Sequence, residues 1–377
     1  MKGLFLIFHG FESYNGISKK IHAQFKAFQE CGVEMHLCYI LIDSKGFQQR
    51  IIDHHVLEIL GRGVAATLKK WIDYRALLHY IIEHNIDFLY IRSYHNATPF
   101  LISALKTLKK NGIKILLEIP TYPYDGEYRN SRIKKRYQLF IDKCFRHSLS
   151  KQVTRIVTFS PYDTIFSTPT IRISNGIDFE STPLRQKPQN KTQIRLLGVA
   201  EIHSWHGFDR LIAGMANYFQ LSPSIQVYFD IVGYGDERII ESLKSMIKSY
   251  YLETFVTFHG PKFGKELDVF FNNSDIGVAS LARHRSNITY IKTLKNREYA
   301  ARGIPFIYSE IDEDFEGMPY VMKVPADESP INIESLIEFY YKNTLDPSEI
   351  RESVAYLSWE KQMQEVLDSI DITNYES

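Results

Sequence analysis

The feature that most constrains this chain is one alternation that runs through it twice. Short apolar runs at Gly3–Phe8, Met35–Ile40, Phe88–Ile91, Lys114–Ile119 and Arg155–Phe159 alternate with segments of helical spacing at Ser18–Cys31, Trp71–Asn85, Phe100–Lys110 and Ile133–Leu149. The series then restarts. Apolar runs at Ile194–Val199, Val227–Val232, Val256–His259, Ile276–Ala279 and Pro305–Tyr308 enclose helical segments at Phe208–Tyr218, Arg238–Tyr250, Glu266–Asn273 and Thr293–Arg302. Such alternation predicts βαβ units and parallel sheets covered on both faces. Between the series, residues 181–191 (STPLRQKPQNK) are polar, aperiodic and carry two prolines, as a linker or exposed loop does. At 377 residues the chain exceeds one ordinary core. The expected fold is therefore α/β, two Rossmann-like domains facing a cleft. Ligands in open sheets of this kind sit beyond the strands' carboxyl ends, so chemistry is sought in the loops that follow each strand.

Composition excludes several classes. Lys and Arg number 45 against 44 Asp and Glu, without the basic excess of a wholesale nucleic-acid binder. Cys31, Cys38 and Cys144 are too few and scattered for a disulfide framework or a CxxC metal site, and read as idle thiols in a reducing compartment. The opening MKGLFLIFHGF has one Lys and no small-residue cleavage site, so it reads as a core strand rather than a secretion signal. No apolar stretch reaches the ~20 residues of a membrane span. The expected location is the cytoplasm, with peripheral contact at a membrane's inner face as an option.

Three loops have the residue types to bind a ligand. His9 to Ser18 follows the first strand and contains Gly10 and Gly16, which let backbone approach an anion at a helix start; Ser18 equally suits an N-cap. Gly233-Tyr234-Gly235-Asp236 is a second strand-to-helix turn, equally readable as a plain capped loop. The richest runs from Ser280-Leu281-Ala282-Arg283-His284-Arg285 through Lys292, Lys295 and Arg297 to Glu298 and Gly303-Ile304-Pro305. Cations after a strand and at a helix start are where a diphosphate would be held, and an acid one turn on can accept from ribose hydroxyls. Asp312-Glu313-Asp314 reads as a solvated turn rather than a metal site, and His54-His55 as surface. No G-x-S-x-G, H-E-x-x-H or P-loop lysine motif is present.

The order of these motifs resembles glycosyltransferase family 4, the large group of retaining GT-B enzymes. Asn175-Gly176-Ile177-Asp178 is similar to the family's turn at the domain junction. It is followed by Leu197-Gly198 to His206-Gly207, Val232-Gly233-Tyr234-Gly235, His259-Gly260 and Glu298-Tyr299-Ala300-Ala301-Arg302-Gly303-Ile304-Pro305. The N-terminal half matches only through Asn15-Gly16-Ile17 and the helix after it. The resemblance implies an acceptor-side domain of residues 1–173 with a returning helix at 359–377, and a donor-binding domain of residues 174–358. There are departures. The first of the family's paired glutamates falls at Tyr290, Glu298 matching the second, and its diphosphate-binding Arg and Lys align with Glu201 and His206. Arg285, Lys292 and Lys295 are expected to replace the missing cations. Motifs around Trp205-His206-Gly207 and Lys295 look like a bacterial surface-polysaccharide subgroup.

The resemblance implies transfer of a hexosyl group from a UDP- or GDP-sugar to a saccharide or lipid-linked saccharide, with retention and without a metal or other cofactor. Arg285 and Lys295 are the catalytic candidates, aided in donor binding by Gly16, His206, Gly233, Gly235, Lys292 and Glu298. Glu118 and Tyr122, at a strand's end in Glu118-Ile119-Pro120-Thr121-Tyr122-Pro123, are acceptor-side candidates. Residues 129–151 carry Arg129, Arg132, Lys134, Lys135, Arg136, Lys143, Arg146 and Lys151 among Tyr137, Phe140 and Phe145, opposed only by Asp142. That pattern fits an anionic membrane surface or an ordinary charged helix face, and fits nucleic acid less well. A nucleotide-sugar epimerase or hydrolase, needing a carboxylate or His such as Glu118 and His9, and a non-catalytic binding subunit are the alternatives.

Overall fold

The structure is a computed structural model and describes residues 1–11, 16–128, 133–186 and 193–372. Asn15, Arg129, Arg132, the stretch 187–191 and residues 373–377 of the returning segment lie outside the described residues. The chain divides into two compact units, Met1–Gly176 with the segment from Trp359 onward, and Ile177–Ser358.

The first unit holds β1 (Lys2–Leu6), β2 (Glu34–Ile42), β3 (Phe47–Ile52), β4 (His55–Arg62), β5 (Phe88–Arg92), β6 (Lys114–Ile119), β7 (Arg155–Thr158), β8 (Thr164–Ile165) and β9 (Thr168–Arg172). Their order is β4-β3-β2-β1-β5-β6-β7-β9-β8. β2-β1-β5-β6-β7-β9 are parallel, while β3, β4 and β8 pair antiparallel at the edges. The pleat of β1 sends Leu4 and Leu6 into one core and Phe5 into another, which Ile7 just beyond the strand also joins. The first core packs Leu77 and Ile81 of helix Arg75–Glu83, Leu101, Leu105 and Leu108 of helix Pro99–Lys110, and Leu139 and Leu149 of helix Ile133–Ser150. The second receives Ile21 and Phe28 of helix Gly16–Glu30 and Trp359, Met363, Val366 and Leu367 of helix Trp359–Ile372. Gly176 is needed beside that helix, since a Cβ there would lie 2.2 Å from Trp359 Cδ2. The segment expected as one helix at Trp71–Asn85 is two, Gly63–Ile72 and Arg75–Glu83. Asp73 Oδ1 accepts the Arg75 N–H at 3.1 Å and starts the second.

Glu118 does not line a surface in this unit. It is fully buried on β6, 3.5 Å from Lys20 Nζ, paired with Arg92, and accepts from Tyr90 Oη and Gln24 Nε2, each at 2.7 Å. Burial alone would raise its pKa, but Lys20, Arg92 and the two hydrogen bonds hold it below the usual carboxylate range. The acceptor-side expectation for Glu118 is corrected to that of an internal counter-ion. Its stabilisation is present above the ordinary carboxylate pKa and is lost as pH falls through the depressed folded value. Glu118→Ala removes the buried counter-charge of Lys20 and Arg92 and is expected to destabilise the protein by about 3–5 kcal/mol in urea unfolding.

The second unit is wholly parallel: β10 (Gln193–Ile202), β11 (Gln226–Gly235), β12 (Val256–Phe258), β13 (Ile276–Val278), β14 (Phe306–Tyr308) and β15 (Val321–Lys323), in the order β12-β11-β10-β13-β14-β15. Leu196 and Leu197, adjacent on β10, enter separate cores on the two faces. Among the described residues no helix is long and apolar enough to cross a membrane.

Candidate functional site

In the second unit the strand order reverses beside β10, with β11 and β12 to one side and β13 to β15 to the other. Between β10 and β13 lies the topological switch point, where loops diverge and leave a crevice. After β10 come the turn Ser204–His206, Gly207 and helix Phe208–Phe219; after β13 come residues 279–282 and the turn Arg283–Ser286. The two loops are stitched together. Leu281 N–H donates to the His206 carbonyl at 3.0 Å and Ala282 N–H to the Trp205 carbonyl at 3.1 Å. Gly207 has φ +64°, and a Cβ there would meet Ala282 Cβ at 2.9 Å, so only glycine allows this closure. The loop after β14 joins them, Ile311 N–H donating to the Thr289 carbonyl at 2.7 Å and Ile291 N–H to the Ile311 carbonyl at 3.0 Å.

Two buried ionisable groups sit among these loops. Lys295, in the first turn of helix Leu294–Ala301, has a buried Nζ with no hydrogen-bond partner among the described residues. Burial lowers its pKa to about 7, the Arg283 charge adding to the effect and Glu310 opposing it. Glu310 follows β14 and is 1% exposed. Burial raises its pKa to about 7 against the pull of Arg283 and Lys295. Its Oε1 is 3.5 Å from Asn296 Nδ2, whereas its Oε2, Asn296 Oδ1 and Ser280 Oγ lack partners among the described residues. Each such group costs about 1–3 kcal/mol when nothing satisfies it, so this concentration marks a place where water or a ligand completes the bonding. Glu310 also lines a recess of about 500 Å³ with Arg283, Thr289, Ser309 and Lys323.

His206 lies at the same corner and is buried. Burial, then the charges of Lys295 and Arg283, hold its pKa well below the ordinary value. Its Nδ1 accepts the His203 N–H at 3.0 Å, which leaves a neutral ring with Nε2–H as donor.

The remaining sequence candidates have other occupations. Arg285, expected to hold the departing diphosphate, instead grips Asp209 with two bonds of 2.9 and 2.7 Å, pairs with Glu328 and donates to the Ser204 carbonyl at 2.8 Å. It braces the loop rather than presenting an open cation. Lys292 Nζ is 3.6 Å from Asp314 and 3.9 Å from Glu313. Asp312 holds buried Arg297 at 2.6 and 3.1 Å, and Asp314 pairs with it as well. The acidic triplet is thus the internal counter-charge of the basic run. Among the described residues no group of three His, Cys, Asp or Glu is placed to hold a metal ion. Glu298 Oε1 accepts from Arg302 Nε and Nη2, both at 3.2 Å, and its side chain remains 40% exposed. Gly233 and Gly235 belong to β11, where a Cβ would strike the Ala200 carbonyl oxygen at 1.8 Å and that of Ile202 at 2.2 Å. Close strand pairing accounts for both glycines without a ligand.

In the first unit, Gly16 opens helix Gly16–Glu30, exposed, and Tyr122 is half-buried against Tyr124, Tyr162 and Phe166. A recess of about 590 Å³ lies at the amino ends of β5 and β6, away from the loops that carry these residues. Sequence reasoning missed Glu310, although its place directly after β14 was the available signal. Arg283 was read as part of a run and not singled out.

No family model matches the sequence, and no curated protein does. Solved structures do match in fold. Sucrose-phosphate synthase from Thermosynechococcus elongatus is 16% identical, with a TM-score of 0.64 over 100% of this chain and 99% of its own. HepE from Anabaena, solved in complex with UDP and glucose, is 14% identical, with a TM-score of 0.58 over 98% and 99%. The lipopolysaccharide outer core galactosyltransferase WaaB is 13% identical, with a TM-score of 0.60 over 98% and 99%. The chain therefore has the GT-B fold of these glycosyltransferases, two Rossmann-like domains built on parallel sheets.

Proposed function

We propose that this chain is a glycosyltransferase that moves a hexosyl group, with retention, from a UDP- or GDP-sugar to a saccharide or lipid-linked saccharide in surface-polysaccharide synthesis. The observation that carries the reading is the buried Lys295 ammonium, without a hydrogen-bond partner among the described residues, beside the switch point of the second unit's parallel sheet. Transfer breaks the bond between the anomeric carbon and a phosphate oxygen and forms one to an acceptor oxygen. Negative charge grows on the departing diphosphate, which takes the acceptor's proton. A desolvated cation and helix-start amides answer that charge without a metal. Lys295, at the start of helix Leu294–Ala301, combines both, with Nε2–H of His206 as a neutral donor nearby. Glu298 holds the ribose, and Glu310 is suited to the sugar's hydroxyls. HepE's UDP and glucose are the kind of donor fragment this arrangement fits. A lipid-linked acceptor would bring the enzyme to the inner membrane face, where helix Ile133–Ser150 is the element to meet it.

The test is donor turnover. UDP- and GDP-sugars are offered with and without a saccharide acceptor, and the expected result is donor loss only when acceptor is present. Isomerised or hydrolysed donor without acceptor would replace this reading with the epimerase or hydrolase. Failure to bind any nucleotide would replace it with a binding subunit.

A further inference from the structure

The first unit has a region whose charge departs sharply from the near-neutral balance of the whole chain. Helix Gly63–Ile72 contains two Lys and no carboxylate, and helix Pro99–Lys110 three Lys and no carboxylate. Helix Ile133–Ser150 contains five Lys and Arg against the single Asp142. Asp142 is buried and turned inward, accepting from Tyr124 Oη at 2.6 Å and from the Ala97 N–H at 3.1 Å. The flanking carboxylates are neutralised locally, Asp73 by Arg75 and Asp125 by Lys143 and Arg146. Helix Pro99–Lys110 packs against both of the others, so the three form one adjoining set.

These helices also expose what a water-facing helix normally hides. Val64, Leu68 and Ile72 recur at i, i+4 and i+8, and Ile133, Tyr137 and Phe140 at i, i+4 and i+7, all outward. Val64 is 87% exposed, Ile133 84%, Phe140 63% and Phe100, on the middle helix, 50%. Leu101, Leu105 and Leu108 of the middle helix, Leu139 and Leu149 of the third and Ala66 of the first already face inward, so the outer apolar stripes are additional. Glu58 pairs with Lys69, and Asp125 with Lys143 and Arg146, but the cations of the three helices still outnumber these acids. Apolar and aromatic side chains set in such a basic excess match an anionic bilayer: charge attracts, and the apolar side chains enter the headgroup boundary.

We infer that the three helices together form a face that docks on an anionic lipid surface. This extends the contact proposed for helix Ile133–Ser150 and rests on that part of the reading, but not on sugar transfer. The test is co-sedimentation of the full chain with phosphatidylcholine vesicles, with and without phosphatidylglycerol, at low and high salt. Binding is expected only with phosphatidylglycerol, and to weaken with salt. Lys135→Glu combined with Arg136→Glu should lower it about tenfold or more, as should Phe140→Asp. Val64→Asp combined with Phe100→Asp, on the other two helices, should weaken it as well. All are surface changes, so thermal melting should stay near that of the parent. Parent-like binding by the Val64/Phe100 variant would confine the contact to one helix and overturn the three-helix face. No preference for phosphatidylglycerol, or retention on RNA without vesicle binding, would overturn the membrane partner altogether. None of these readouts requires a donor sugar, so failure of the transfer reading would leave them unchanged.

Discussion

Lys295→Met is expected to weaken nucleoside diphosphate binding about 10- to 100-fold while leaving the fold at least as stable at neutral pH. The affinity loss is that of a charge-assisted hydrogen bond in a desolvated site. Stability moves the other way because methionine has a similar volume and no charge to bury. The sign follows from the depressed pKa of Lys295, about 7 in the fold against an ordinary 10.5. Between those values the unfolded chain binds more protons, so stability rises with pH, and below about 7 the buried ammonium carries its full penalty. Methionine removes that penalty. A bound diphosphate needs the protonated form, so affinity in the parent should fall as pH rises through about 7, and the variant should lose that part of the dependence, keeping only what Glu310 and the diphosphate's own ionisation contribute. Calorimetric titration across pH measures both. Unchanged affinity in Lys295→Met would remove this side chain from the donor site.

Glu310→Gln is expected to slow transfer about 10- to 100-fold, the scale of one hydrogen bond to a charged group, and to stabilise the fold at pH 8. The folded pKa of Glu310 is about 7 against an ordinary 4.5. Its favourable contribution is complete below the ordinary value and is lost as pH rises through the folded one. Glutamine stays neutral, so at pH 8 the variant should gain on the order of 1–3 kcal/mol, and the gain should vanish near pH 5. A stability gain with a rate loss is the signature of a group kept for chemistry rather than for folding. A stability loss at pH 8 with unchanged turnover would assign Glu310 to the architecture. Urea unfolding at the two pH values, beside donor turnover, separates the cases.

The fold was legible because buried parallel strands read as continuous apolar runs. Lys114–Ile119 forms β6 with the expected bounds, and Ile194–Val199 forms the middle of β10. What escaped were edge strands. β3 (FQQRII) is half polar, and β15 (VMK) is only partly buried and ends on an exposed Lys, so neither gives a run of apolar side chains to detect. The loops of the candidate site were legible as strand-to-helix turns, and the partners of their charges were not. The basic run from Arg283 to Arg297 does surround the switch point, but sequence spacing cannot show which cation meets an internal acid. Arg285 meets Asp209, 76 positions earlier, and Arg297 meets Asp312, after the next strand. Lys295 differs from them in lacking such a hydrogen-bond partner among the described residues, a property of the packed structure. Glu118 was misread for the same reason, since its counter-ions Lys20 and Arg92 come from other elements of the sheet and its covering helix.

The central claim, that the second unit binds a nucleoside diphosphate, is tested most directly by calorimetric titration of the full chain with UDP and with GDP, first without metal and then with Mg²⁺. The account predicts binding of one of the two without metal, at an affinity that falls between pH 6 and pH 8. Absence of binding by both, with and without Mg²⁺, would contradict it.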